Sequence, residues 1–280
     1  MIHVHVKRTG LIVTVCLGLL FQAGPASGGI DDDFGSAAII ALGGAYAADP
    51  DGAGLLWINP AMRQLSAQDG SGEISYRSLY GLSELEEITA GVWHRVARRI
   101  GLGVGFSRFG ESGLYLETQG VLAAAFRLRP GWTVGTTWEF QRVEYGQNES
   151  RYNGANLALA LAARPVSSVV AGAALRRIDV DPLYTGENRN PAVEISAAWS
   201  APPDITLAGI WAAQPGHDRF GLGQRLRLGR GVEFLSGLTF DPIRYSLGGR
   251  IAYWGGTIDY AYQSHADLGG THLIGFGWRW

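Results

Sequence analysis

One cysteine, Cys16, stands in the 280 residues, and it falls inside the leader described next, so the exported chain is expected to carry no thiol, disulfide or cysteine metal site. Lysine is as scarce: Lys7 is alone, and every later basic residue is arginine. Charged residues make up 17% of the chain, low for a soluble domain, while hydrophobic residues make up 46%. Yet beyond the leader no apolar run reaches the ~18 residues a membrane-spanning helix needs. The apolar side chains must be hidden in another way. Without Lys7 and Arg8 the balance is 21 arginines against 25 acids, a formal charge of −4, which argues against a nucleic-acid partner.

Residues 1–28 read as a secretory signal. Lys7 and Arg8 precede an apolar core at 11–21, and small residues follow at 23–28 where cleavage would fall. Cys16 lies in the middle of that core and not at its end, so it reads as a leader hydrophobe, not a lipid-attachment site.

What the chain has in abundance is glycine and aromatic residues: Gly 41, Trp 9 and Tyr 11. Together with the alternation below, they point to an all-β architecture. Fourteen strands are expected, at 73–81, 86–97, 99–110, 115–128, 131–146, 153–163, 166–180, 189–200, 204–217, 218–229, 231–241, 243–254, 256–265 and 269–280. Their spacing suits strands of ~9–11 residues crossing a membrane and joined by short turns. The fold expected is a transmembrane antiparallel up-and-down β-barrel, with 29–72 as a short N-terminal plug and 73–280 as the wall.

Period-2 patterning assigns the faces. Ile100, Leu102, Val104 and Phe106 alternate with Gly101, Gly103, Gly105 and Ser107, and Val193, Ile195 and Trp199 with Glu194, Ser196 and Ser200. The second face is rich in small residues, with sparse charges of both signs: Glu117, Glu139, Glu194, Arg225, Arg227, Glu233, Arg250 and Asp259. A solvated exterior would carry more charge and less glycine, so this face is assigned to the lumen and the apolar one to lipid. Val104 should then reject arginine, and Gly105 should accept serine. Trp132, Tyr253, Trp254, Trp278 and Trp280 lie near strand ends, where an interfacial girdle would put them. Connections after even-numbered strands are tight, as at Arg98, Pro130 and Gly255, and those after odd-numbered strands are generally longer. An even-stranded barrel with both termini in the periplasm has that asymmetry.

Residues 42–62, LGGAYAADPDGAGLLWINPAM, match neither leader nor strands. A short helix is expected within 36–48. A second turn at 54–58 should end at Pro60, with Asn59 as a cap or turn residue. This stretch resembles the N-terminal signature of FadL-like outer-membrane barrels and their PorV/PorQ relatives, through Gly43, Gly44, Ala45, Asp49, Asn59, Pro60 and Ala61. Pro50 interrupts the acidic pair usual there, and Arg63 stands where small or apolar residues are common. The resemblance implies a bacterial outer-membrane location and one of two non-enzymatic functions. One is a partner of a protein-secretion or surface-attachment machinery, the PorV/PorQ type, favoured here because the connections leave little room for capture loops. The alternative is a FadL-like passive transporter of hydrophobic small molecules. The partners expected are outer-membrane lipid with either a secretion-machinery subunit or a hydrophobic small molecule.

Other motifs are accounted for more simply. The glycines at 101, 103 and 105 sit inside a strand pattern and open no helix, so they do not form a dinucleotide loop. His265, Asp267 and His272 lack a clear fourth metal ligand. Asn148 opens an incidental glycosylation sequon, and no Ser/His/Asp grouping supports catalysis. No cofactor is implied.

Overall fold

In a computed structural model the residues described are 36–146, 150–180, 191–201, 204–215, 217–240 and 242–280. The expected leader with Cys16, and Asn148 of the sequon, lie outside them. The wall has fourteen strands: β1 Gly70–Ser78, β2 Glu86–Ala97, β3 Ile100–Glu111, β4 Tyr115–Arg129, β5 Trp132–Tyr145, β6 Ser150–Val166, β7 Val169–Asp179, β8 Ala192–Ala201, β9 Ile205–Gln214, β10 His217–Gly229, β11 Val232–Phe240, β12 Arg244–Tyr253, β13 Gly256–His265 and β14 Gly269–Arg279. Each pairs antiparallel with its neighbours in sequence, and β1 pairs with β14 to close a barrel with no free edge. Asp69 and Gly70 both donate to the Trp280 carbonyl at 3.0 Å, so the wall begins and ends at the same rim. That rim is called the terminal end below.

The alternation read from the sequence is the in/out alternation of the wall. Val104 is 55% exposed on the outside while Gly105 is buried inside, and the same split holds along β5, β8 and β14. The outer wall carries an apolar band of leucine, isoleucine, valine and aromatic side chains, a surface suited to lipid. Near the rims the rule breaks: on β3, Arg108 faces out and Phe109 in.

β1 starts at Gly70, before the expected 73, because Trp278 and Trp280 of β14 lie across the outer face over Gly72 and Gly70, where a β-carbon would strike their rings. Glycines that look like a linker are thus covered strand positions. The strand also ends earlier, at Ser78, since Tyr80 and Gly81 take positive φ in a turn before a 3-10 turn at Ser83–Leu85. Between β12 and β13, Trp254 and Gly255 both have positive φ, the geometry of a two-residue hairpin loop that follows the strand twist.

Inside the barrel lies 36–65. Helix α1, Ala37–Ala41, is capped by the Ser36 hydroxyl, which accepts from Ile39 N at 3.4 Å, and it stops at Gly43 and Gly44, both with positive φ. Short 3-10 turns follow at Tyr46–Ala48 and Ala53–Leu56. The helix expected within 36–48 is therefore broken in two by this glycine pair. Pro60 ends the turn before it, as expected, but also opens a helix, α2, Pro60–Leu65, that was not expected. Proline suits the first helical position, where no backbone donor is needed. Both helices are buried on every side because the wall surrounds them.

Candidate functional site

The plug backbone packs directly on the wall where the wall has glycine. A β-carbon on Gly221, Gly223 or Gly237 would run into the main chain of Leu42 and Gly43. Gly43 itself has φ +63°, and a side chain there would meet the carbonyls of Leu222 and Leu238, so glycine is required twice over. Gly44, φ +81°, completes the turn beside Ile210. Gly101, Gly103 and Gly105 make room for Trp93, Leu56 and Trp57. This corrects the expected tolerance of Gly105, since a β-carbon there would stand 2.5 Å from the Trp57 ring and 2.9 Å from Val121.

Polar links fasten the plug around the circumference. Asn59 caps α2 by accepting from Met62 N at 3.3 Å, and its amide donates to the carbonyls of Leu161 on β6 and Ala173 on β7, each at 3.2 Å. Pro60 lies against Gly135. The Ala61 carbonyl accepts from the Thr133 hydroxyl at 2.7 Å, and the Leu56 carbonyl from Thr137 at 2.8 Å, both on β5. Ala47 N donates to Ser196 on β8 at 3.1 Å, and Gly54 N to Glu73 on β1 at 3.4 Å. Arginines meet the last carbonyls of α2: Arg127 reaches Gln64 O at 2.8 Å and Arg95 reaches Ser66 O at 2.6 Å.

The strongest link is ionic. The Arg250 guanidinium donates through both terminal nitrogens to the Asp49 carboxylate at 2.9 Å, and through Nε and Nη2 to Asp259 at 2.6 and 2.9 Å. Glu233 lies 3.9 Å away, and Arg279 stands 3.8 Å from Asp49. Burial alone would push the Asp49 carboxyl up; Arg250, with Arg279 and Arg225, outweighs it and holds the group below the ordinary carboxylate range. Arg63, fully buried, donates to the Pro50 carbonyl at 3.1 Å, and burial pulls its pKa down to about 10 against the opposing pull of Asp51 at 3.8 Å.

The eight expected lumen charges do not form one site. Arg250, Asp259 and Glu233 form the knot around Asp49. Arg227 pairs with Glu233 at 3.3 Å but is 55% exposed, at the rim and not in the lumen proper, because β10 reaches the terminal end there. Arg225 reaches Thr206 at 3.4 Å. Glu194 pairs with Arg176 at 2.8 Å, and Glu139, half-buried, adds to the field on that arginine. Glu117, on another arc, accepts from Tyr115, Gln119 and Gln141 at 2.9, 2.6 and 2.6 Å.

Sequence reading placed Asp49 in the signature stretch but missed its arginine partner, and it missed the arginine pair on β7. Leu157 opposes Ile178 and Leu159 opposes Leu175, so Ala158 faces two residues, Arg176 and Arg177, with φ 57° at Arg177. The bulge turns both arginines inward, where Arg177 donates to Gln214 at 3.1 Å. Two adjacent arginines inside a strand were the available signal. His265 accepts from the backbone of Asp267 and Leu268 at 3.2 Å, and His272 pairs with Tyr260, so these residues have local work of their own.

No protein-family model and no curated protein matches the chain. Solved structures do. The toluene transporter TbuX of Ralstonia pickettii is 12% identical with a TM-score of 0.68, covering 90% of this chain and 100% of that one. The CymD monoaromatic hydrocarbon channel is 14% identical with a TM-score of 0.65, covering 90% and 99%. A FadL homologue of Pseudomonas aeruginosa is 10% identical with a TM-score of 0.62, covering 88% and 95%. At such identities the likeness is one of architecture: this chain has the same barrel fold as these proteins.

Proposed function

We propose that this chain is a passive outer-membrane channel for small hydrophobic molecules, with 36–65 as the plug that controls passage. The observation that carries the reading is a lumen filled at one level by a segment of the same chain, held to the wall by separate short links. The fold likeness supports it further. The matched proteins are a toluene transporter and a monoaromatic hydrocarbon channel, which describes those proteins and favours the conduit over the secretion-partner reading for this one. The apolar outer wall and the absence of a free sheet edge support a location in the outer membrane.

The test is uptake of a labelled monoaromatic hydrocarbon by cells or proteoliposomes with and without the protein. Faster entry with the native chain, altered by plug substitutions that leave the barrel folded, is expected; entry unchanged by the protein would overturn the conduit.

One observation favours the secretion-partner reading. The described turns at the end opposite the termini run from three residues, at 112–114 and 266–268, to seven, at 79–85, and offer little surface for capture loops. Cross-linking in intact outer membrane separates the two, since a docking protein predicts a stoichiometric partner and a conduit predicts none.

A further inference from the structure

Charge is divided along the barrel axis. Among the described residues at the end opposite the termini the exposed acids are Glu84, Glu86, Glu111, Asp179, Asp218 and Asp267, against exposed Arg108 and Arg142. At the terminal end the order is reversed: Arg98, Arg99, Arg129, Arg227 and Arg230 are exposed, against Asp69 and Asp204. Asp69 is paired with Arg95 at 2.7 Å, and Arg227 with Glu233.

The remaining four arginines occupy one arc of that rim. Arg230 lies in the β10–β11 turn, Arg98 and Arg99 in the β2–β3 turn, and Arg129 at the end of β4. Between and beside them stand aromatic rings, all exposed except the half-buried Trp132. Tyr253 and Trp254 are stacked at 5.2 Å where β12 enters the β12–β13 turn, Trp278 and Trp280 are stacked at 6.5 Å at the end of β14, and Trp132 lies 4.8 Å beneath the Arg129 guanidinium. The arc runs without a break from β10 through β14 and β1 to β5. The β8–β9 turn, outside it, carries Asp204 instead.

Aromatic rings at the edge of an apolar wall mark the depth of lipid headgroups. Arginine at that depth presents a planar fork suited to phosphate oxygens. We infer that this arc is a docking surface for anionic phospholipid headgroups in the leaflet at the terminal end. The opposite rim, acidic on balance among the described residues, disfavours the same lipids, so the barrel is matched to a membrane whose two leaflets differ in charge. This holds whether the lumen conducts or not.

The experiment places the purified full-length barrel in vesicles of phosphatidylcholine containing brominated phosphatidylglycerol or brominated phosphatidylcholine, and reads quenching of tryptophan fluorescence. Stronger quenching by the phosphatidylglycerol probe is expected, falling with added salt, each arginine contributing roughly a five-fold preference at low salt. A variant carrying Arg98→Gln, Arg99→Gln, Arg129→Gln and Arg230→Gln should lose the preference while retaining the native heat-modifiable band on gels. A second variant with Glu84→Gln, Glu86→Gln and Glu111→Gln should keep it. Inorganic phosphate at matched ionic strength should not compete. Equal quenching by the two probes in the native protein, preference surviving the four substitutions, or displacement by inorganic phosphate would each overturn the proposal.

Discussion

Arg250 and Asp49 face each other as a planar pair, two parallel hydrogen bonds of 2.9 Å joining wall to plug across 201 residues of sequence. The same guanidinium holds Asp259, so it is shared between a partner on the wall and a partner on the plug. Replacing Asp49 with asparagine removes one charge and leaves Arg250 its wall partner. The barrel should remain folded, while the plug becomes more accessible to protease and small-solute leakage rises. Arg250→Ala should do more, because it strands two buried carboxylates, and removing one member of such a group typically costs about 3–5 kcal/mol. Equal protease resistance of the plug in native and Asp49→Asn protein would show that the pair does not hold it.

The same pair sets a pH dependence. The Asp49 carboxyl titrates below its ordinary value when folded, so its contribution is complete above the unfolded pKa of about 3.9 and is lost as pH falls toward the folded value. The part of plug protection that this pair supplies should be flat from neutral pH down to mild acid and fall only below that point. In the Asp49→Asn protein this acid-dependent step should shrink or vanish.

Asn59 joins three tasks in one side chain: it caps α2 and bonds to the carbonyls of two wall strands. Asn59→Ala should cost about 1 kcal/mol for the cap alone, with the two wall bonds lost in addition. Pro60→Ala should be milder, since alanine also suits the first turn of a helix. Hydrogen exchange over 60–65, measured in detergent, should accelerate in the first variant more than in the second.

The wall was legible because lipid and lumen impose opposite demands on alternate residues, and Leu102, Gly103 and Val104 carry that contrast without help from distant parts of the chain. The resemblance drew the eye to Asn59, Pro60 and Ala61, whose contacts depend on tertiary placement. What could not be read depends on pairings far apart in sequence. Gly70 and Gly72 look like a linker until Trp278 and Trp280 are brought beside them. Asp49 is only a residue of the signature stretch until Arg250 arrives. Gly105 looked free to accept serine because nothing local announces Trp57 against it. The β7 bulge escaped for a related reason: strict alternation cannot place Arg176 and Arg177 on one face, and only the pairing with β6 shows the extra residue.

The seam between β1 and β14 gives the last prediction. Gly72 pairs with Trp278 in register, and the indole rings of Trp278 and Trp280 cover Gly72 and Gly70 on the outer face. Closing a barrel requires its first and last strands to find one register, and a slip of one residue would turn every lumen side chain of β14 toward lipid. Each glycine creates a recess that one ring fills, so the rings and recesses fit in the native register and collide in the neighbouring one. Gly72→Val should therefore obstruct closure by pushing the Trp278 ring off the strand. Trp278→Ala should allow closure but leave the recess open to lipid and weaken the seam. The double variant, Gly72→Val with Trp278→Ala, should recover part of the loss, because the valine then fills the space the ring has left. Assembly is read as the fraction of heat-modifiable barrel in the membrane. If the double variant assembles no better than Gly72→Val alone, the ring and the glycine are not coupled and the register is set elsewhere.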